Sequence, residues 1–341
     1  MNTAASANSR LTELDALRGI AAMVVVLFHY TVQAPNVIPG IETVALGVPL
    51  GFYGVHLFFA ISGFVIFMTL ERTKTTADFA FSRFTRLFPA YWAAIALTTC
   101  AEWLLGQPGL LQSAQAIAVN LTMLQGFVHV PPVDGAYWSL TVELAFYGCM
   151  WALWRAGLLG RIETVLVGWI GLRLVWWLVP SAPWMVSNVL LLDYIAFFAI
   201  GICAYRVRQG TRRWSEQLPV LAAGLAVTVM VESFEVGAVY LLATAIFVAL
   251  VAGRTGFLNA PVLVWLGALS YPLYLVHQNI GYSVIAALES VGLPAWAATV
   301  LAIGVALGLA QLVHNLIETP SLRILRGMWK ARRERLSSRP A

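Results

Sequence analysis

This sequence predicts an all-α integral membrane protein of about ten transmembrane helices with both termini cytoplasmic, and three observations carry that prediction. Of its 341 residues 60% are hydrophobic and only 11% charged, with a mean hydropathy of +0.79, far outside the range of water-soluble domains. Apolar runs close to the length that a bilayer core requires, about 20 residues, recur ten times. Lys and Arg fall in every second connection and are missing from the connections between, as the positive-inside rule demands.

The ten runs cover roughly 14–33, 47–70, 84–105, 137–155, 162–179, 187–207, 218–233, 236–252, 262–288 and 294–317. They make 14–317 one membrane domain between a short N-terminal segment, 1–13, and a basic tail, 318–341. No basic n-region precedes the first run and no small-residue cleavage site follows it, so it reads as an uncleaved helix. Basic residues stand at Arg10, at 72–86, at Arg155 and Arg161, from Arg206 to Arg213, at Arg254 and from Arg323 to Arg339. Connections 34–46, 106–136, 180–186, 234–235 and 289–293 contain none. The net charge of +5 therefore reports orientation, not nucleic-acid binding. Residues 109–130 are apolar enough to pass for another span. Counting them would turn every later basic cluster outward, so they read as a re-entrant or interfacial piece on the outer face.

The first run, LDALRGIAAMVVVLFHYTVQ, contains Arg18 and His29. Eleven residues at about 100° each return a helix to within about 20° of one face, about 16 Å further along. One helix thus presents a guanidinium near one surface and an imidazole near the other, and ionisable groups at such depth mark function by default. The second run, GVHLFFAISGF, places His56 near mid-membrane, where Gly54, Ser62 and Gly63 suit close helix packing. The third opens with SRFTRLFPAYW, in which Arg83 and Arg86 are neighbours on one face.

The fourth run, YWSLTVELAFY, repeats Ser139, Glu143 and Tyr147 every four residues as a polar stripe. Arg173 and Asp193, in the fifth and sixth, are expected to pair. In the ninth, LSYPLYLVH aligns Ser270, Tyr274 and His277, and Pro272 predicts a kink. The tenth ends with His314 and Glu318. Cys100, Cys149 and Cys203 lie at different depths and read as small core hydrophobes, not a disulfide framework.

Sorted by depth, the polar residues form two layers. Arg18, Arg83 and Arg86 lie on the cytoplasmic side with His314 and Glu318. Convergent guanidiniums offer bidentate contacts to phosphate, although an arginine pair at the start of a helix can also serve only as an inside anchor. His29, Glu143 and His277 lie toward the outer side. A carboxylate level with a histidine is a general-base arrangement, in which the acid fixes the tautomer; a structural hydrogen bond is the plainer alternative. His29 with Glu143 is the expected catalytic pair, and Trp138, Ser139, Tyr147, Tyr274 and His277 are expected to line the acceptor site. The outer segment, with Asn120, Gln125, His129 and Asp134, is expected to shape the acceptor mouth. No His, Asp or Glu cluster has metal-ligand spacing, so no metal is expected.

Six ordered motifs, LDALRGIAAMVVVLFH, GVHLFFAISGF, SRFTRLFPAYW, YWSLTVELAFY, LSYPLYLVH and IETP, resemble those of the membrane-bound acyltransferase family 3, over residues 11 to 325. The resemblance implies an O-acyltransferase of the bacterial inner membrane that moves an acyl group, often acetyl, onto a hydroxyl. It implies functional roles for Arg18 and His29, for Arg83 and Arg86, and for Glu143. One departure is His56, which stands where the family usually carries an acidic residue. Acyl-CoA is then the expected donor, its phosphates on Arg18, Arg83 and Arg86 and its arm threading an interhelical channel to His29. The expected acceptor is a carbohydrate or glycoside, and the tail is expected to rest on anionic lipid headgroups. Self-association of the chain is left open. A secondary transporter of a polar or glycosylated solute is the alternative, although the chain has no visible internal repeat.

Overall fold

A computed structural model describes residues 11–105, 109–179 and 183–337, and these residues form helices and connections with no strand among them. The segment 1–10, with Arg10, and the end of the tail, with Arg339, lie outside the described residues. Every expected run contains a helix. These are α1 (Thr12–Phe28), α2 (Gly54–Arg72), α3 (Thr76–Leu104), α4 (Trp138–Arg155), α5 (Ile162–Leu178) and α6 (Ile195–Arg208). There follow α7 (Trp214–Val227), α8 (Phe234–Val251), α9 (Pro261–Val276), α10 (Gln278–Ser290), α11 (Ala295–Val313) and α12 (Thr319–Ser337). Five helical stretches among the described residues are long and apolar enough to cross a bilayer: Thr12–Val37, Pro49–Arg72, Trp214–Glu232, Phe234–Val251 and Ala295–Arg335. Residues 109–130 form only a seven-residue helix, Ala114–Asn120, and a short 3₁₀ turn, and seven residues rise about 10 Å. They do not span.

The bundle is organised around two close helix pairs. α1 lies on α9 and α2 on α6, the two most extensive contacts in the molecule. Both depend on missing side chains: a Cβ on Gly19 would strike the Gly267 backbone, and one on Gly63 would strike the carbonyl of Phe198. In hydrocarbon, where no hydrophobic force drives helices together, such backbone contact is how they associate. The outer surface is apolar, with Val175, Leu242, Val300 and Leu312 exposed on α5, α8 and α11. That pattern fits a lipid environment and not water.

Three helices widen into a π turn, and each turn carries an ionisable side chain. α1 continues as His29–Gln33, α7 as Thr228–Glu232 and α11 as His314–Glu318. Such bulges re-aim side chains and gather at functional sites. α9 and α10 meet at His277, five residues beyond Pro272, so the expected break in the ninth run is found there. Tyr30 crosses onto this junction and donates to the carbonyl of His277 at 2.6 Å.

Candidate functional site

A cavity of about 240 Å³ opens between α1, α2, α3, α4, α9 and α12. Arg18, Arg83, Arg86 and Glu143 line it, together with Ser139, Tyr147 and Tyr274, so the arginines expected to act together do converge. Arg86 is ion-paired with Glu318, which also accepts from His314 Nδ1 at 2.7 Å, and the ring of Tyr271 lies 5.3 Å beneath its guanidinium. Arg83 sits 5.7 Å over the Tyr147 ring, and its buried Nε has no partner. The Tyr147 hydroxyl donates to Glu143 at 2.6 Å, and Ser62 donates to the same oxygen at 3.1 Å. With Arg86 taken by Glu318, the wall retains Arg18, Arg83 and Arg326 against a single carboxylate, Glu143, among the described residues. Surplus positive charge held in a partly buried cleft is a site for an anion.

His29 lies elsewhere. Its Nδ1 is 2.9 Å from the carbonyl of Val25 and 3.1 Å from Nε2 of His277, whose own Nδ1 is 2.9 Å from the carbonyl of Tyr274. Carbonyls only accept, so in the neutral pair each Nδ1 carries the hydrogen. His277 then accepts from His29, and His29 Nε2, which has no hydrogen-bond partner among the described residues, keeps a bare lone pair. This is the tautomer that a general base requires.

The expected pairing of His29 with Glu143 is not formed. The polar contacts of His29 are to Val25 and His277, and those of Glu143 are to Ser62 and Tyr147. Depth along two helices does not make residues neighbours. α1 packs on α2 and α9, α4 packs on α2, and Glu143 turns into the cavity where its charge acts on Arg18 and Arg86. The cavity does not reach the imidazoles: Phe58, Ser139 and Tyr274 are among the residues that line it, and neither His29 nor His277 is. Tyr274 is the partition: its hydroxyl meets Ser139 Oγ at 2.6 Å and the carbonyl of Ala136 at 2.9 Å, and its ring lies 5.6 Å from that of His277.

Other expected site residues are distributed as follows. Ser139, Tyr147 and Tyr274 line the cavity, but Trp138 packs on Tyr194 and Phe59 and faces a separate cleft of about 230 Å³. In the expected acceptor mouth, Asn120 and Asp134 are buried instead of open. Asn120 pins Pro131 and Val133, and Asp134 accepts from the backbone of Ala136 and Asn279. His129 stacks on Trp184. His56 is caged by Tyr53, Tyr194 and Phe197, with Nδ1 unpartnered. Arg173 pairs with Asp193 at 3.0 Å as expected and also with Glu232. The cysteines are free thiols.

Among the polar residues of the cavity wall, Ser62 was read only as a packing residue, Tyr271 was not singled out, and Arg326 was read only as part of the basic tail. For Arg326 a signal existed. Arg326, Trp329, Lys330 and Arg333 share one face of a helix. Burial, then the like charges of Arg86 and Arg83, holds the Arg326 guanidinium below the usual arginine range.

The sequence model of an acyltransferase domain family matches residues 11–314. Acyltransferase MdmB of Streptomyces mycarofaciens is 26% identical over 93% of this chain and 92% of its own length. Nodulation protein 10 of Rhizobium leguminosarum bv. viciae is 32% identical over 34% of this chain and 39% of its own length. No solved structure matches. With an arginine-walled cavity, an imidazole carrying a free lone pair and a family match over nearly its whole length, this chain belongs to acyltransferase family 3, as an O-acyltransferase.

Proposed function

We propose that this enzyme moves an acyl group, acetyl in the simplest case, from acyl-CoA at the cytoplasmic face of a bacterial inner membrane to a hydroxyl of a carbohydrate or glycoside. The observation that carries the reading is the excess of guanidinium groups around one cavity whose far wall, Tyr274, touches the His29–His277 pair. Donor phosphates rest on Arg18 and Arg83, with Arg86 held beside them by Glu318 as a further positive charge on the wall, and the arm of the donor fills the cavity. Tyr274 and Phe58 swing aside as the thioester reaches His29. Both side chains are hinged on single bonds, and Tyr274 gives up two hydrogen bonds in moving.

In the transfer, His29 Nε2 takes the proton of the acceptor hydroxyl as its oxygen attacks the thioester carbonyl. The carbon–sulfur bond breaks, and the leaving thiolate recovers that proton from the imidazolium. General-base catalysis of this kind contributes about 10²–10⁴-fold. His277 and the Val25 carbonyl do the orienting work that a carboxylate does elsewhere. Glu143 serves the donor side, fixing Tyr147 and balancing Arg18. In this proposal residues 14–317 act as a single membrane domain with both termini cytoplasmic.

The test is acyl transfer by the purified protein in nanodiscs, with radiolabelled acetyl-CoA and a panel of lipid-linked and soluble glycosides. Label in a glycoside, lost in His29→Gln with insertion intact, is the expected result. Wild-type protein that transfers label only from a donor lacking coenzyme A overturns the donor assignment.

A further inference from the structure

We propose that the tail helix α12 is one wall of a nucleotide site, in which Arg326 and Lys330 hold the phosphates of a 3′-phosphorylated adenosine diphosphate group. The inference rests on the acyl-CoA reading and extends it to residues that reading does not use. A groove of about 760 Å³ runs between α12 and the junction of α2 with α3. Arg72, Lys74, Arg83, Arg326, Lys330 and Arg333 line it. Its two carboxylates are engaged within the protein. Asp78 accepts from Trp329 at 2.9 Å and from Arg333 at 3.2 Å, and Glu334 lies 4.0 Å from Lys330. The groove is thus strongly cationic, and among the described residues Arg326 has neither an ion pair nor a hydrogen bond to occupy it.

Two further observations select the nucleotide over a lipid headgroup. Arg83 and Arg326 line the groove and the membrane-embedded cavity alike, so the two voids adjoin at these side chains. A molecule with its anionic end in one and a slender arm in the other spans both. The wall is also built and not loosely laid on a surface. Trp329 stacks on Phe81 at 4.4 Å and 13°, and Asp78 is held at the start of α3 by Thr75. Apolar Ile324 and Met328 are exposed on α12, which leaves a separate face for the bilayer. A phosphate against a guanidinium and an ammonium is the recognition these side chains perform best.

The experiment measures calorimetric affinity for coenzyme A and for 3′-dephospho-coenzyme A, using the full chain in nanodiscs of phosphatidylcholine alone. Wild-type protein is expected to prefer coenzyme A by about tenfold, the size of one charge-assisted contact. Arg326→Ala and Lys330→Ala are expected to weaken coenzyme A by about tenfold and to bring the two ligands within about twofold of each other, because the lost contact and the lost phosphate are then the same interaction. Arg326→Lys is expected to restore part of the preference. Lys330 is 82% exposed, so its removal disturbs no packing. A tenfold preference that survives both alanine variants overturns the proposal, as does a loss that emerges only when anionic lipid is added. Wild-type protein that binds no coenzyme A instead overturns the donor reading, a distinguishable failure.

Discussion

The cavity and the imidazole pair solve opposite problems with the same kind of helix. Around the cavity, charged groups are gathered in excess and left short of partners: Arg83 has a buried unpartnered nitrogen, and one carboxylate stands against three guanidiniums. Around His29 the polar groups are few: His29 Nδ1 and both ring nitrogens of His277 meet a carbonyl or the other ring, and His29 Nε2 is left bare among the described residues. The first arrangement is poised for a charged ligand, and the second for moving a proton without holding a charge at rest. Tyr274 faces the cavity, bonds to its wall and packs on a histidine of the pair.

The contrast is broken most severely at His29. His29→Gln is expected to lower kcat by about 10²–10⁴-fold while coenzyme A affinity stays within about twofold, which a rate measurement and a titration check together. Arg83→Ala is the mirror image. Loss of a charge-assisted phosphate contact predicts coenzyme A binding weaker by about 10- to 100-fold, with kcat at saturating donor changed far less. His277→Phe keeps a ring in place but removes one of the two acceptors for His29 Nδ1–H, leaving the Val25 carbonyl. A drop in kcat of about tenfold at unchanged KM is expected, since one orienting hydrogen bond is lost. Glu143→Gln sharpens the comparison by asking to which region Glu143 belongs. The amide can still accept from Tyr147 and Ser62, so only the charge is removed. Donor-side membership predicts coenzyme A binding about two- to fivefold tighter, as a negative charge leaves an anion site; an orienting role at His29 predicts a fall in kcat with no change in binding.

Which residues share a layer was legible in the sequence only in part, since Glu143, read as level with His29, joins the arginines of the other layer in the cavity, and lateral position was not legible at all. Counting residues from helix ends put Arg18, Arg83, Arg86, His314 and Glu318 in one layer, and the ion pair of Arg86 with Glu318, with His314 beside it, joins members of that layer. The same counting put Glu143 level with His29. Nothing in a single sequence told that α1 and α4 face each other across a cavity instead of packing together, because both helices are apolar around most of their circumference. His277 was placed correctly in depth yet read as lining the acceptor site. The π turn that begins at His29 brings the two rings together, and its hydrogen-bond register has no sequence signature. Trp138 shows the limit of an aromatic residue as a pointer: next to a functional stripe, it packs on Tyr194 instead. The tail was read as a basic segment for lipid, since charge without position says nothing about a groove.

A structure of the wild-type protein in nanodiscs with a non-hydrolysable acyl-CoA analogue tests the central claim, that donor recognition and proton transfer are separate places joined through Tyr274. The account predicts phosphates among Arg83, Arg326 and Lys330, Tyr274 rotated off Ser139, and the acyl carbonyl within about 4 Å of His29 Nε2, the reach needed for a hydroxyl to sit between them. An analogue whose acyl carbon stops at Ser139 beside Glu143, with Tyr274 still bonded to Ala136, would contradict it and move the chemistry into the cavity.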